Sequence, residues 1–255
     1  LVVVDGEVAF VGGINVIDDT DARQQMPPRY DYAVRVEGPL LIPVQQAMRR
    51  LWELVLWAKL NRRYRLPKAA QHARQARGEQ TAAFVVRDNI RHRRDIEQAY
   101  LDAIATARED ILLANAYFLP GRRFRRALRD AAKRGVRVLV VLQGQVEYPL
   151  LHYATQALYG QLLGAGIRIF EYRRSFLHAK VAVIDQHWAT VGSSNIDPFS
   201  LLLAREANVV VKDAAFAAEL RRSLRQAMHE GACELPVASW RQLPWASRLL
   251  HWGSY

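Results

Sequence analysis

Two segments of the chain share one pattern of apolar and polar positions. Residues 1–15 read LVVVDGEVAFVGGIN and residues 181–195 read VAVIDQHWATVGSSN. Each has an apolar run, a turn opened by an aspartate, a second apolar run and a loop of small residues, which predicts a β-hairpin. Three pairs of residues align at an offset of 180 positions: Asp5 with Asp185, Gly12 with Gly192, and Asn15 with Asn195. This repeat indicates two related halves.

A strand and then a helix are predicted after each of these hairpins. The strands are predicted over 31–36 and 206–211, and the helices over 39–58 and 213–230. The chain therefore has the pattern of the end of one half followed by a complete second half.

Apolar strands and amphipathic helices alternate through the second half. The predicted elements are strands over 84–86, 111–114, 136–142 and 167–170, and helices over 93–108, 122–134 and 149–165. Alternation of this kind predicts an α/β fold with a mixed sheet covered by helices on both faces. We divide the chain into four parts: 1–60 as the C-terminal part of the first half, 61–82 as a basic linker or insertion, 83–232 as the second half, and 233–255 as a tail rich in tryptophan.

Composition narrows the class of protein but not its partner. Apolar residues make up 51% of the chain and charged residues 24%, which is typical of a globular protein. The formal net charge of +11 favours anionic partners, either nucleic acid or acidic lipid. However, only five of the 36 basic residues are lysine, so a general bias towards arginine explains part of this charge. The single cysteine, Cys233, excludes an internal disulfide and a cysteine-based zinc site.

The second hairpin carries polar groups suited to attack on a phosphodiester. His178 and Lys180 are two residues apart on a predicted strand, so both side chains lie on one face. Ser193 and Asn195 follow the neighbouring strand and reach the same place. Imidazole serves as a nucleophile or general acid near neutral pH, and Lys and Asn stabilise charge on phosphate oxygens. This chemistry needs neither a metal nor an organic cofactor.

The pattern His-x-Lys-x4-Asp, followed by Gly-Ser-x-Asn, resembles one of the two signature motifs of the phospholipase D superfamily. That resemblance implies two pseudo-twofold-related α/β/α halves, each with a mixed β-sheet flanked by helices, and one catalytic site between them. One histidine attacks phosphorus to form a phosphohistidine, and the other protonates the leaving alcohol. By this resemblance His178 is the general acid and base, and Lys180, Ser193 and Asn195 bind phosphate. Asn15 does so from the first half.

The resemblance also assigns supporting roles. Asp185 completes the catalytic motif in the second half, but Asp5 and Asp185 are expected to support their hairpins rather than to touch substrate. Asp31 and Glu206, at 26 and 21 residues after those aspartates, are the candidates for orienting imidazoles, with Asp31 expected to serve His178. The alternative is that both carboxylates are charges at strand edges. Three glycines are expected to support the motif loops: Gly12, Gly13 and Gly192.

The first motif departs from the family pattern. Counting back from Asp5 puts its lysine immediately before Leu1 and its histidine two positions earlier. We therefore expect the sequence to be a piece of a longer protein, and we expect these 255 residues alone to bind phosphate but to turn over poorly.

Several segments resemble the B-type bacterial cardiolipin synthases: 8–15, 31–39, 115–120 and 187–198. This resemblance implies transfer of a phosphatidyl group from phosphatidylglycerol to a second phospholipid, or hydrolysis when water is the acceptor. It also implies peripheral contact with the bacterial inner membrane, on the cytoplasmic side, and no nucleic acid partner. Two alternatives stay open: a nuclease of the same superfamily, and a lipid-binding module without catalysis.

A basic stretch with aromatic residues supports contact with lipid. Residues 54–78 hold seven basic and no acidic side chains, and Trp52, Trp57 and Tyr64 lie in or beside them. Such a segment is typical of an interfacial anchor, although a solvated linker has the same composition. The same two interpretations apply to the tail that contains Trp240, Trp245 and Trp252.

Overall fold

Two β-sheets organise the chain, and the computed structural model describes residues 1–15, 27–59 and 75–236. The first-half elements are β1 Val2–Val4, β2 Val8–Gly12, β3 Ala33–Val36, a 3₁₀ turn Gly38–Leu40 and α1 Leu41–Ala58. The second-half elements are β4 Thr81–Arg87, α2 Asp95–Thr106, β5 Asp110–Asn115, α3 Arg122–Lys133, β6 Arg137–Gln143, α4 Pro149–Ala157, α5 Tyr159–Gly164, β7 Arg168–Tyr172, β8 Lys180–Ile184, β9 Trp188–Gly192, α6 Pro198–Leu202, β10 Glu206–Lys212, α7 Ala214–Gly231 and β11 Ala232–Glu234.

The second half is built on an eight-stranded mixed sheet in the order β11-β7-β6-β5-β8-β9-β10-β4. The β5–β6 and β6–β7 pairs are parallel, and the others are antiparallel. All residues of β5, β8 and β9 are buried, because helices cover both faces of the sheet centre. The first half contributes a separate antiparallel sheet in the order β1-β2-β3.

Alternate residues of the central strands enter two different cores. Ile111 and Leu113 of β5 pack with α2, α3 and α5 on one face, whereas Leu112 and Ala114 pack with α7 on the other. A third core joins the halves, since Ala9 and Val11 of β2 pack against Val209 and Val211 of β10.

Most element ends lie within two residues of the sequence prediction, and the short helix α6 was not predicted. Three larger differences remain. The helix predicted over 149–165 is divided into α4 and α5. Between them the backbone makes a tighter, 3₁₀-type turn, in which Leu158 N donates to Thr155 O at 3.0 Å. β4 starts at Thr81, inside the predicted linker, because it pairs with β10 along its whole length. Residues 232–234, at the start of the predicted tail, form β11, which pairs with β7 and so belongs to the large sheet. Most of the predicted linker (61–74) and of the predicted tail (237–255) lies outside the described residues.

Candidate active site

The two repeated hairpins have the same backbone. Val4 pairs with Val8 across the first turn, and Ile184 pairs with Trp188 across the second, again at an offset of 180 positions. Asp5 and Asp185 both take the left-handed conformation, with φ of 50° and 49°. Aspartate tolerates this region better than most residues, which explains why each turn opens with one.

Asp185 lies at the end of its hairpin opposite to His178. Its carboxylate accepts hydrogen bonds from the backbone N–H groups of Arg108 at 3.0 Å, Glu109 at 2.8 Å and Asp110 at 3.2 Å. Arg221 also donates to the Asp185 carbonyl. These contacts tie the turn to the start of β5, so the geometry gives Asp185 a supporting rather than a catalytic position.

Close packing explains the glycines that follow each hairpin. A Cβ on Gly192 would lie 2.6 Å from the Ala207 carbonyl oxygen, and one on Gly12 would lie 2.6 Å from Ala33 Cα. A Cβ on Gly13 would lie 2.7 Å from both carboxylate oxygens of Asp31. The first two glycines allow neighbouring strands to approach, and the third leaves room for the Asp31 side chain.

A short parallel bridge brings the halves together at His178. Tyr30 N donates to Phe176 O at 2.8 Å, and His178 N donates to Tyr30 O at 2.9 Å. His178 therefore lies just before β8, rather than within it, beside a segment of the first half. The next residue of that segment is Asp31, whose Oδ2 lies 2.6 Å from His178 Nδ1.

The contact with Asp31 determines which nitrogen of the His178 ring carries a proton. A carboxylate is an acceptor, so Nδ1 carries the proton and Nε2 remains for proton exchange with substrate. Asp31 is itself held by Tyr32 N, which donates to its Oδ1 at 2.8 Å. The exposed fractions are 14% for the His178 side chain and 6% for Asp31, so the pair is largely shielded from water.

Lys180 is a buried ammonium beside this pair. Its residue is 3% exposed, and its Nζ donates to the His178 carbonyl oxygen. Burial lowers the pKa of Lys180 to about 8, and the nearby carboxylates of Asp31 and Glu206 oppose that shift. The ammonium has three protons and this contact uses one, which leaves donors for an anionic ligand.

Glu206 accepts a hydrogen bond from the Ser193 hydroxyl. Burial raises the pKa of Glu206, while that hydrogen bond and the charge of Lys180 act in the opposite direction. The structure thus places Glu206 with Ser193 and Lys180.

The two asparagines that align in the repeat have different surroundings. Asn195 Oδ1 lies 3.4 Å from the Tyr117 N–H, at the junction of β9 with the loop after β5. Asn15 is exposed and lines the same cavity as His178.

That cavity has a volume of about 460 Å³. Its lining residues are Asn15, Arg29, Tyr117, Glu147, Tyr148, Leu151 and His178. The segment 115–120 had been singled out by resemblance, so Tyr117 had a signal in the sequence. Arg29 and Glu147 had none, since isolated charged residues between elements carry no periodicity. Within the described residues, no group of three or more His, Cys, Asp or Glu side chains is placed to hold a metal ion.

The fold and the candidate site can now be compared with those of known proteins. The large sheet is mixed and has helices on both faces, and a carboxylate from the other half holds the histidine. The sequence matches the family model "Cardiolipin synthase, PLD-like domain" over residues 100–228. This match covers half of the chain, so the chain belongs to the phospholipase D-like family, and its predicted α/β fold is confirmed.

Individual known proteins are also similar to this chain. Cardiolipin synthase B of Escherichia coli K12 is 43% identical over 234 residues, which are 88% of this chain and 54% of that protein. The chain therefore spans about half the length of the curated relatives it matches. Phosphatidylserine synthase of Haemophilus influenzae has the same fold over 97% of this chain and 65% of its own, with a TM-score of 0.69 and 12% identity. NucT from Helicobacter pylori aligns over 62% of this chain and 100% of its own, with a TM-score of 0.52 and 20% identity.

Proposed function

We propose that this chain supplies one histidine and most of the phosphate-binding groups of a cardiolipin synthase-type phosphatidyltransferase. The observation that carries the proposal is the 2.6 Å contact between His178 Nδ1 and Asp31 Oδ2, which joins the halves beside the buried Lys180. The 43% identity to a cardiolipin synthase B supports phospholipid rather than nucleic acid as substrate.

The reaction has two displacements at phosphorus. In the first, a nucleophilic imidazole forms a bond to the phosphorus of phosphatidylglycerol. The bond to the glycerol oxygen breaks, and that oxygen takes the proton from His178 Nε2. In the second, a hydroxyl of another phosphatidylglycerol gives its proton to Nε2 and its oxygen bonds to phosphorus, which releases the first imidazole. With water as acceptor, the same steps give phosphatidic acid.

Each remaining predicted site residue has a role in this scheme. Lys180, Asn195 and Asn15 hold the phosphate oxygens, and Ser193 does so when its hydroxyl turns from Glu206 to the phosphate. Asp31 stabilises the imidazolium of His178. The nucleophilic imidazole belongs to the first repeat, at the position that aligns with His178, and Glu206 is its carboxylate partner. We propose that the 255 residues alone turn over poorly, because His178 is the one motif histidine that they contain.

Contact with a lipid surface is part of the proposal, on the cytoplasmic side of the inner membrane. The last two turns of α1 are apolar and exposed, with exposed fractions of 45% for Leu51, 46% for Leu54 and 77% for Trp57. Lys59 follows them, and a basic end next to an apolar helix fits an anionic lipid surface. None of the helices in the described ranges is both long and apolar enough to cross a membrane.

The test uses the full-length protein with phosphatidylglycerol vesicles and analyses lipid products by thin-layer chromatography. We expect diphosphatidylglycerol and free glycerol, and a rate about 10²–10⁴-fold lower for His178→Ala. His187→Ala is the matched control, since that histidine is exposed in the β8–β9 turn. Cleavage of oligonucleotides without any lipid product would favour the nuclease instead, and an unchanged rate for His178→Ala would remove the proposed role of that residue.

A further inference from the structure

A charged cluster on the cavity wall has no part in the two displacements described above. Glu147 Oε2 accepts a hydrogen bond of 2.7 Å from the Tyr117 hydroxyl. Glu147 Oε1 lies 3.0 Å from Arg29 Nη1. All three side chains line the cavity that contains His178.

Residues from both halves hold the cluster in place. Arg29 comes from the first half, and its guanidinium lies 5.8 Å from the centre of the Phe176 ring, two residues before His178. Tyr117 follows β5, and its ring meets that of Tyr148 edge to face at 5.8 Å. The exposed fractions are 27% for the Arg29 side chain and 17% for Glu147, so the pair is partly shielded but open to a ligand.

The hydrogen-bonding capacity of Glu147 is only partly used. Each carboxylate oxygen has two acceptor sites, and the two contacts use one on each oxygen. Burial and the neighbouring Glu147 carboxylate both raise the pKa of Tyr117, so the phenol keeps its proton and remains a donor to Glu147. The remaining acceptor sites of Glu147 suit a ligand that donates hydrogen bonds.

Charge decides which kind of donor fits. Arg29 Nη1 lies 3.0 Å from Glu147 Oε1, so the guanidinium offsets the charge of the carboxylate. A cationic ammonium group bound at Glu147 would lie beside the Arg29 guanidinium and be repelled by it. A neutral hydroxyl group would donate to Glu147 without that penalty.

We propose that Arg29, Glu147 and Tyr117 form the binding site for the acceptor alcohol, and that they select a neutral polyol head group such as glycerol over an amine or a simple alcohol. The inference rests on the proposed function and deepens it. One hydroxyl of the polyol gives its proton to His178 Nε2 and attacks phosphorus, while a neighbouring hydroxyl donates to Glu147. A simple alcohol lacks that second hydroxyl, and in water the second O–H is on the attacking oxygen itself rather than on a neighbouring carbon.

The test is a competition between soluble acceptors for the phosphatidyl group, with the full-length protein and phosphatidylglycerol as donor. Glycerol, propan-1-ol and ethanolamine are compared by their kcat/KM for transfer. Radiolabelled glycerol is used, because transfer to glycerol regenerates phosphatidylglycerol and is detected only as label that enters the lipid. For Glu147→Gln, we expect the glycerol-to-propanol ratio to fall about 10- to 100-fold, because a hydrogen bond to a charged group is replaced by a weaker one. Tyr117→Phe keeps the ring and should lower the same ratio to a smaller extent.

Arg29→Gln gives a prediction of a different kind. Without the guanidinium, the charge of Glu147 is no longer offset, so the ethanolamine-to-glycerol ratio should rise. The matched control is Glu234→Gln, which removes the carboxylate of another Arg–Glu pair, 2.7 Å from Arg168 at the far edge of the large sheet. We expect this control to leave both ratios unchanged.

The outcomes separate the two proposals. Full-length protein that neither transfers nor hydrolyses phosphatidylglycerol overturns the proposed function and the acceptor site with it. An active enzyme whose acceptor ratios are the same in Glu147→Gln, Tyr117→Phe and Arg29→Gln overturns the acceptor site alone. Equal loss for glycerol, propan-1-ol and water in Glu147→Gln also overturns it, since that result describes a structural role.

Discussion

At the scale of single residues, the candidate site is a group of charged side chains that are shielded from water. His178, Asp31 and Lys180 are all largely buried, and each has a partner that limits the cost of burial. Removing one partner leaves another charge uncompensated, so we expect substitutions here to have larger effects than comparable changes on the surface.

Asp31→Asn tests the carboxylate that holds His178. The amide no longer stabilises imidazolium and allows the wrong tautomer of the ring, so kcat/KM of the full-length protein should fall by roughly 10²-fold or more. Asp213→Asn is the control, because Asp213 caps α7 and asparagine caps helices equally well. A change of less than about threefold in Asp31→Asn would contradict the assigned role.

The lowered pKa of Lys180, about 8, predicts a pH limit to activity. As pH rises through this value the ammonium loses its proton and with it the attraction for phosphate. The kcat/KM, which reports the free enzyme, should therefore fall about tenfold per pH unit above 8. Lys180→Arg keeps its charge at all these pH values, so its profile should lack this limb even if its rate is lower. A limb near pH 8 that persists in Lys180→Arg would assign the titration to another group.

At the scale of elements, the two hairpins and α1 have different functions. Each hairpin positions polar groups through tight contact with the following strand, and that contact requires glycine. The exposed end of α1 instead projects apolar side chains away from the cores.

Gly192→Ala should lower the free energy of unfolding by about 1–3 kcal/mol or more, since the added Cβ would lie 2.6 Å from a backbone oxygen. Gly164→Ala is the opposite case. A Cβ there meets nothing within 4 Å, and the residue ends α5, so alanine should be neutral or slightly stabilising. Thermal unfolding of the two variants checks both signs, and equal melting temperatures would show that strand approach at Gly192 is not tight.

Trp57→Glu tests the contribution of α1 to lipid contact. The change removes a side chain that is 77% exposed and introduces a negative charge, so binding to phosphatidylglycerol vesicles should weaken about tenfold or more in flotation. Ile90→Glu changes the charge equally at a site 80% exposed in the loop before α2. Equal binding of the two variants would remove α1 from the interface.

At the scale of the whole molecule, the first-half sheet depends on the second half. A small antiparallel sheet needs an apolar cover to be stable, and Val209 of β10 supplies part of it for Ala9 and Val11. The contact between Asp31 and His178 depends on this same packing, because it too crosses between the halves.

Val209→Ala should therefore reduce hydrogen-exchange protection in β2 and β3 more than in β5 to β7, with an overall loss of roughly 1–3 kcal/mol. Val140→Ala is a matched control, since Val140 is a fully buried valine in the main core. Its loss of protection should centre on β5 to β7. The same exchange pattern in both variants would mean that the halves unfold as one unit.

Much of this protein could be predicted from local patterns in the sequence. The hairpins, the motif around His178 and the succession of strands and helices could be predicted because periodicity and turn residues are local properties. The repeat at 180 positions also indicated two related halves, and the resemblance implied that they share one site. The pairing of Asp31 with His178 was proposed by resemblance, on residues 147 positions apart.

Only the tertiary structure decided what those elements bring together. The 2.6 Å distance at His178, the meeting of Arg29 with Glu147 and the addition of β4 and β11 to the edges of the large sheet all join distant parts of the chain. Such contacts follow from the packing of whole faces, whereas an isolated charge or a short edge strand has no periodic pattern of its own. That is why the motif around His178 could be predicted from the sequence, while the wall of the cavity beside it emerged only from the fold.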